Sequence, residues 1–249
     1  MDKNIKRRRG IYLLPNLLTT AGLFAGFYAI VAAMDNHFEL AAIAIFIAMV
    51  LDGLDGRVAR MTNTQSEFGA EYDSLADMVS FGMAPALVVF QWTLQGMGKI
   101  GWLAAFIYVA AAALRLARFN TQVAVADKRY FQGLASPAAA AVIAGAVWVG
   151  DGYQLSGVVL GWGAATLTIL AGVLMVSNIR YYSFKTLDLK GKVPFVALLI
   201  MVLIFVLVSI DPPLVLWSVF VLYALSGPVL TIALLLRHRR RREEKRREG

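Results

Sequence analysis

Four aspartates, Asp52, Asp55, Asp73 and Asp77, have spacings that could build one site. The first two are three residues apart and the last two are four apart, so each pair shares one face of a helix. Two adjacent antiparallel helices could bring all four carboxylates together, where they would repel one another unless a cation held them. Oxygen ligands without histidine or cysteine suit Mg²⁺, Mn²⁺ or Ca²⁺, and four carboxylates are enough for two ions.

Glycines lie among these aspartates. Gly53, Gly56 and Gly69 each weaken a helix by about 1 kcal/mol relative to alanine, but glycine lets a bulky ligand approach the backbone closely. A metal site lined by glycine backbone favours a pyrophosphate over a bare ion path. The alternative is that the aspartates form salt bridges at helix ends with nearby arginines such as Arg57 and Arg60. Four aspartates at these spacings, with three glycines, disfavour that alternative.

The composition is that of a membrane protein, because 59% of the 249 residues are hydrophobic and 16% are charged. We predict eight membrane-spanning helices, since most of the apolar segments are long enough to cross about 30 Å of hydrocarbon. The segments are Ile11–Met34, His37–Val58, Leu75–Met97, Ile100–Phe119, Leu134–Gly150, Leu155–Asn178, Val193–Ile210 and Leu214–Leu236. Pro137 is predicted to mark a helix start or a kink.

The basic residues indicate the orientation. Of the 24 lysines and arginines, all but Lys99 fall on one side of the eight-helix arrangement, and that side is cytoplasmic by the positive-inside rule. This clustering disfavours nucleic acid as the partner of the +8 net charge. The absence of cysteine excludes disulfides and thiolate metal sites, and His37 and His238 are too far apart to favour a zinc site.

The predicted fold class is therefore an all-α integral membrane bundle of about eight helices with a cytoplasm-facing active site. Residues 1–236 form a single transmembrane catalytic domain, and residues 237–249 form a basic cytoplasmic tail that is disordered beyond its first turn. Both termini are expected in the cytoplasm, and the membrane is expected to be the bacterial inner membrane.

The run D-G-x-x-A-R-x8-G-x3-D-x3-D, from Asp55 to Asp77, resembles the signature of the CDP-alcohol phosphotransferases, and every fixed position matches. The resemblance implies that an alcohol hydroxyl attacks the lipid phosphorus of CDP-diacylglycerol and that CMP leaves. It also implies a homodimer in membrane lipid and two divalent ions, Mg²⁺ or Mn²⁺. The implied metal ligands are Asp52, Asp55, Asp73 and Asp77, with Asp77 also the general base; Gly56, Ala59, Arg60 and Gly69 would contact the CDP portion.

Other stretches resemble the bacterial members of this family that use L-serine as the acceptor. They include the segment entering the first helix, Leu14–Thr19, the segment ending the fourth, Arg115–Asn120, and the segment opening the fifth, Gln132–Ala139.

A serine site needs a cation for the carboxylate. Arg115 and Arg118 share a helix face and could supply it, with Asn120 as a hydrogen-bonding partner. Asn16 and Thr19 are predicted to touch cytidine or phosphate. The alternative readings are that the arginines are membrane anchors and that Asn16 and Thr19 simply begin a helix.

Two other functions stay open. The same chemistry could serve glycerol phosphate, inositol phosphate or choline, although the phosphorylated acceptors would need a denser basic pocket. The aspartates could instead belong to a membrane transporter. The gathering of the acidic residues at one end of the helices, and not at the membrane midplane, disfavours a transporter.

Overall fold

Helices make up nearly all of the part of the chain that the structure describes, as the long apolar segments predict. The structure, a computed structural model, describes residues 13–122, 130–155, 158–182 and 195–247. Within them the helices are α1 (Leu13–Met34), α2 (Phe38–Met61), α3 (Glu67–Asp77), α4 (Ala84–Trp92), α5 (Lys99–Gln122), α6 (Ser136–Gly152), α7 (Val158–Val176), α8 (Phe195–Ile210) and α9 (Pro212–Arg247). A π-helical segment (Met78–Met83) joins α3 to α4, and a 3₁₀ helix (Leu94–Met97) precedes α5. With α3, the π segment and α4 taken as one rod, these described rods follow the eight predicted segments in order.

The rod that carries Asp73 and Asp77 begins earlier than predicted. Its first helix starts at Glu67 instead of Leu75, because Ser66 caps it: the Ser66 Oγ accepts a hydrogen bond from the Gly69 N–H at 3.0 Å. The early turns are polar, so an apolar pattern cannot mark them. Both aspartates therefore lie within a formed helix, and not at its first residues.

The C-terminal helix also differs from expectation. α9 continues to Arg247, through the tail for which the sequence predicts disorder. Arginine, lysine and glutamate are good helix formers, and the tail extends a helix that is already nucleated. The basic clusters at residues 3–9 and 185–192, which contribute to the predicted orientation, lie outside the described residues.

Small residues form the core of the bundle. α6 lies at its centre, packed against α2, α4, α7 and α9, and seven of its eleven buried residues are alanine or glycine. Small side chains let helices in a membrane approach closely. The first turn of α6 contains Pro137, which confirms the predicted helix start.

Large apolar side chains such as Phe24 and Phe205 are exposed on the outside of the bundle. Among the described residues, Leu13–Met34, Glu67–Trp92, Lys99–Thr121 and Pro212–Ile232 are long and apolar enough to cross a membrane, and Leu160–Val176 is a shorter apolar helix. The chain is an integral membrane protein.

Three of the interhelical turns meet at one end of the bundle. The Tyr153 hydroxyl, after α6, donates to Asp211 Oδ2, before α9, at 2.8 Å. A Cβ on Gly161 of α7 would lie 3.2 Å from the sulfur of Met97, before α5. Contacts across the bundle therefore hold the α4–α5, α6–α7 and α8–α9 turns together.

A short strand pair, which the sequence did not predict, links the start of α6 to the end of α7. β1 (Tyr130–Gln132) pairs antiparallel with β2 (Arg180–Tyr182), and Phe131 lies opposite Tyr181. The next residue, Gly133, has a φ of +78°, and a Cβ there would collide with the Met175 carbonyl oxygen. Strands of three residues are too short to leave an alternating pattern.

Candidate active site

Three of the four predicted aspartates meet between α2 and α3. One carboxylate oxygen from each of Asp52, Asp55 and Asp73 lies within 4.8 Å of the other two. Asp55 is 4% exposed, and the other two are partly buried. The three-residue spacing on α2 turns Asp52 and Asp55 to one face, as predicted. Three carboxylates this close, without histidine or cysteine, form a donor set that fits a hard divalent cation.

Asp77 lies beside this group but not within it. It lines a small cavity together with Asp52, Asp73 and Ser80, and its carboxylate interacts electrostatically with Arg115 of α5. The cavity has about 10 Å³ of space, which is room for roughly one water. A molecule of nucleotide size therefore does not fit inside this cavity and would have to meet the carboxylates from outside it.

Thr19 of α1 contacts an aspartate directly. Its Oγ1 donates to Asp55 Oδ2 at 2.8 Å and also lies 3.1 Å from the Pro15 carbonyl oxygen. The side chain is 6% exposed and lines the same cavity as the aspartates, so it supports the Asp55 carboxylate. Contact of Thr19 with cytidine or phosphate stays a prediction. Asn16 lies nearer the rim, where its Oδ1 is 3.6 Å from the position that a Cβ on Gly69 would occupy.

The residues predicted to contact CDP flank the carboxylates on α2 and α3. The Arg60 guanidinium folds back along α2, with one terminal nitrogen 3.4 Å from the position of a Cβ on Gly56. Ala59, beside Arg60, is partly buried. A Cβ on Gly53 would have no atom within 4 Å, so the backbone next to Asp52 is open to a ligand.

Arg118 and Asn120 lie near the end of α5 and contact other elements. Arg118 donates to the Val176 carbonyl oxygen at 3.2 Å and to Asn178 Oδ1 at 3.1 Å, so it caps the end of α7. The Asn120 side chain pairs with the Ser74 hydroxyl, next to Asp73, at 3.1 to 3.3 Å. Arg118 thus holds α5 to α7, whereas Asn120 reaches the helix that carries two of the aspartates.

Arg115 occupies a different environment. One terminal nitrogen donates to Ser136 Oγ at 2.6 Å, and its Nε is buried with no hydrogen-bond partner. Ser136 belongs to the Gln132–Ala139 stretch that resembles the serine-using members, but it was not predicted as a site residue. The available signal was the Ser-Pro pair at a helix start, which places a hydroxyl at the first turn of α6.

Carboxylates gathered within an apolar helical bundle define a membrane protein with a site for a hard cation. The sequence matches the CDP-alcohol phosphatidyltransferase family over residues 12–170. The chain belongs to this family.

Several relatives resemble this chain over most of its length. The CDP-diacylglycerol–serine O-phosphatidyltransferase of Helicobacter pylori strain J99 is 40% identical over 233 residues, which cover 91% of this chain and 94% of that protein. The enzyme of the same name from Mycobacterium tuberculosis strain H37Rv is 34% identical over 233 residues, with 89% and 79% covered. The archaetidylserine synthase of Methanothermobacter thermautotrophicus is 34% identical over 180 residues, with 72% and 73% covered.

Proposed function

We propose that this protein transfers the phosphatidyl group of CDP-diacylglycerol to L-serine. The serine hydroxyl oxygen bonds to the lipid phosphorus, the bond from that phosphorus to the CMP oxygen breaks, and CMP leaves with phosphatidylserine as the lipid product. The observation that carries the proposal is the group of Asp52, Asp55 and Asp73 within 4.8 Å. This group lies inside the segment that matches the family. The chain also aligns over 91% of its length with the CDP-diacylglycerol–serine O-phosphatidyltransferase of Helicobacter pylori.

Asp52, Asp55 and Asp73 are proposed to hold the divalent cation, Mg²⁺ or Mn²⁺. When bound, the metal supplies charge stabilisation for the phosphoryl oxygens. Thr19 fixes the orientation of Asp55 through its 2.8 Å hydrogen bond, as outer partners of metal ligands do. A second ion and the use of Asp77 as a further ligand remain predictions.

Asp77 is proposed as the general base. Its carboxylate lines the same cavity as the other aspartates but lies outside the group of three, so it can face the acceptor hydroxyl. A carboxylate within hydrogen-bond reach of that hydroxyl takes its proton as the phosphorus–oxygen bond forms. The proton then passes to solvent, and Asp77 is ready for the next turnover.

Arg115 is proposed to bind the serine carboxylate. Its buried Nε is unpartnered, and its positive charge acts on the carboxylate of Asp77, the proposed base. A guanidinium can present Nε and one terminal nitrogen as a fork to a carboxylate. Arg118 already uses both terminal nitrogens at the end of α7, so it is the weaker candidate, and Asn120 is proposed to lie at the rim of the serine site.

The bundle is proposed to span the bacterial inner membrane eight times, with both termini and the active site on the cytoplasmic side. The clustering of three interhelical turns at one end supports this topology. An eight-span arrangement assigns only Lys99, among the 24 basic residues of the sequence, to that end. Residues 1–236 are proposed as one catalytic domain with a basic extension. A homodimer is proposed on the family resemblance.

The test is CMP release by the purified full chain with CDP-diacylglycerol and Mn²⁺, measured with serine, glycerol phosphate, inositol phosphate or choline. Serine should support the fastest release, and a chelator should stop it. Asp55→Asn should be inactive, whereas Asp35→Asn, an exposed aspartate in the α1–α2 turn, should retain activity. Faster CMP release with a phosphorylated acceptor would show that the assignment of serine as the acceptor is wrong. No CMP release with any acceptor would refute the proposed transferase activity.

A further inference from the structure

The π segment follows Asp77 directly and ends two residues before a proline. Residues Met78–Met83 form the wider π turns, which are rare and often found at functional sites. Pro85 lies in the first turn of α4 and has no N–H, so it cannot donate to the carbonyl oxygen of Phe81, four residues earlier, as a residue of an α-helix would. A buried carbonyl without a donor is costly.

Tyr108 of α5 donates a hydrogen bond to this carbonyl oxygen. Its hydroxyl donates to the Phe81 carbonyl oxygen at 2.9 Å, and the side chain is fully buried. Gly172 of α7 allows close packing behind it, since a Cβ there would lie 3.3 Å from the Tyr108 Cα. The tyrosine is therefore held between two helices with its hydroxyl directed at one carbonyl.

The π segment also sets which way the aspartates face. One extra residue in the helix rotates everything before it by roughly 100° relative to everything after it. Asp73 and Asp77 precede the segment and face α2, while the buried residues Ala84 and Val88 follow it and face the core. Both faces are aligned only while the segment keeps its π form.

We propose that Tyr108 is a positioning residue for the transfer reaction: its hydroxyl holds the π segment and thereby orients Asp73 and Asp77. The link to catalysis rests on the proposed function. The residue acts through the backbone of Phe81.

The same arrangement occurs at a second proline and provides a matched control. Pro228 lies inside α9, and the carbonyl oxygen four residues earlier, on Ala224, accepts a hydrogen bond from the Tyr181 hydroxyl at 2.9 Å. Tyr181 is also fully buried, but neither it nor Pro228 lines the aspartate cavity. Removing either hydroxyl takes one hydrogen-bond donor from a helix carbonyl. Of the two tyrosines, Tyr108 is the one that contacts the segment next to Asp77.

The experiment compares Tyr108→Phe, Tyr181→Phe and the double variant Tyr108→Phe with Pro85→Ala in the full chain. Tyr108→Phe should lower kcat by roughly tenfold or more, with the KM for each substrate changed less than about twofold. Amide hydrogen exchange in residues 78–84 should become faster. The double variant should recover both, because alanine returns an N–H for the Phe81 carbonyl, and Tyr181→Phe should lose thermal stability without losing kcat.

An unchanged kcat and unchanged exchange in Tyr108→Phe would overturn the proposal, as would a loss of thermal stability alone. A double variant as slow as the single one, or the failure of both to fold, would also overturn it. If Tyr108→Phe fails to fold and the double variant is folded and active, the pairing is supported. Hydrogen exchange needs no substrate, so a wild-type protein that does not use serine would refute the proposed function while the exchange comparison still decides the role of the hydroxyl.

Discussion

Arg115 and Arg118 lie three residues apart on α5, yet their guanidinium groups contact different parts of the bundle. Arg118 donates to two oxygens at the end of α7, whereas Arg115 contacts Ser136 and keeps a buried Nε without a partner. The sequence could show only that both share a face. The two residues can therefore be separated by experiment, although sequence spacing treats them alike.

Arg115→Lys should weaken serine use more than Arg118→Lys does. Lysine cannot supply a fork, and a lost hydrogen bond to a charged group costs about 1.5–3 kcal/mol, which is a rise of roughly tenfold to a hundredfold in the KM for serine. Initial rates of CMP release at saturating CDP-diacylglycerol measure this. Arg118→Lys should chiefly lower thermal stability, and a larger rise in the KM for serine in Arg118→Lys would assign the fork to Arg118.

Thr19→Val should weaken metal binding without changing the shape of the site. The substitution removes the hydroxyl that donates to Asp55, and loss of such an outer partner costs roughly tenfold to a hundredfold in metal affinity. Thr20→Val is the matched control, because the exposed Thr20 hydroxyl contacts Tyr72 and the Asn16 carbonyl oxygen instead. Calorimetric titration with Mn²⁺ compares the two, and equal affinities would remove Thr19 from the metal site.

At the scale of the elements, α1 approaches the π segment very closely. The Ser80 hydroxyl donates to the Gly22 carbonyl oxygen at 3.1 Å, and a Cβ on Gly26 would lie 2.6 Å from the Ser80 Cα. Such a contact with backbone cannot be relieved by a side-chain rotation. Glycine at position 26 therefore lets α1 dock against the rod that carries Asp73 and Asp77.

Gly26→Ala should destabilise the protein by about 1–3 kcal/mol, the usual cost of overpacking. Gly22→Ala provides the comparison, because its Cβ would meet the Leu51 Cβ at 3.7 Å, an ordinary contact, and alanine favours the helix. Thermal unfolding in detergent should show a lower midpoint for Gly26→Ala only. Equal midpoints would mean that α1 and the π segment are less tightly packed than the structure shows.

The order of the helices could be predicted from the sequence better than the residues at which they begin and end. The long apolar runs predicted eight segments, which the described helices follow in order. The spacing of Asp52 and Asp55 predicted that they share one helix face. The polar start of α3 at Glu67 and the three-residue strands leave no periodic signal, and the π segment depends on a donor from another helix, Tyr108. The contacts of Thr19 and Arg118 likewise depend on which helices meet.

At the scale of the whole molecule, the distribution of charge predicts the topology. Reporter fusions after Asp151 and at Gly249 should report opposite sides of the membrane, with the C terminus in the cytoplasm, because 23 of the 24 basic residues lie on that side of an eight-span arrangement. A fusion after Asp35 should agree with the one after Asp151. Reporters at Asp151 and Gly249 on the same side would contradict eight spans.

The central claim, that the serine hydroxyl attacks the lipid phosphorus, is tested most directly by the fate of the attacking oxygen. The measurement is mass spectrometry of the products formed from CDP-diacylglycerol and serine labelled at its side-chain oxygen with a heavy isotope. The account predicts labelled phosphatidylserine and unlabelled CMP in equal amounts. Phosphatidic acid with a CMP–serine adduct, or phosphatidylserine without the label, would contradict it.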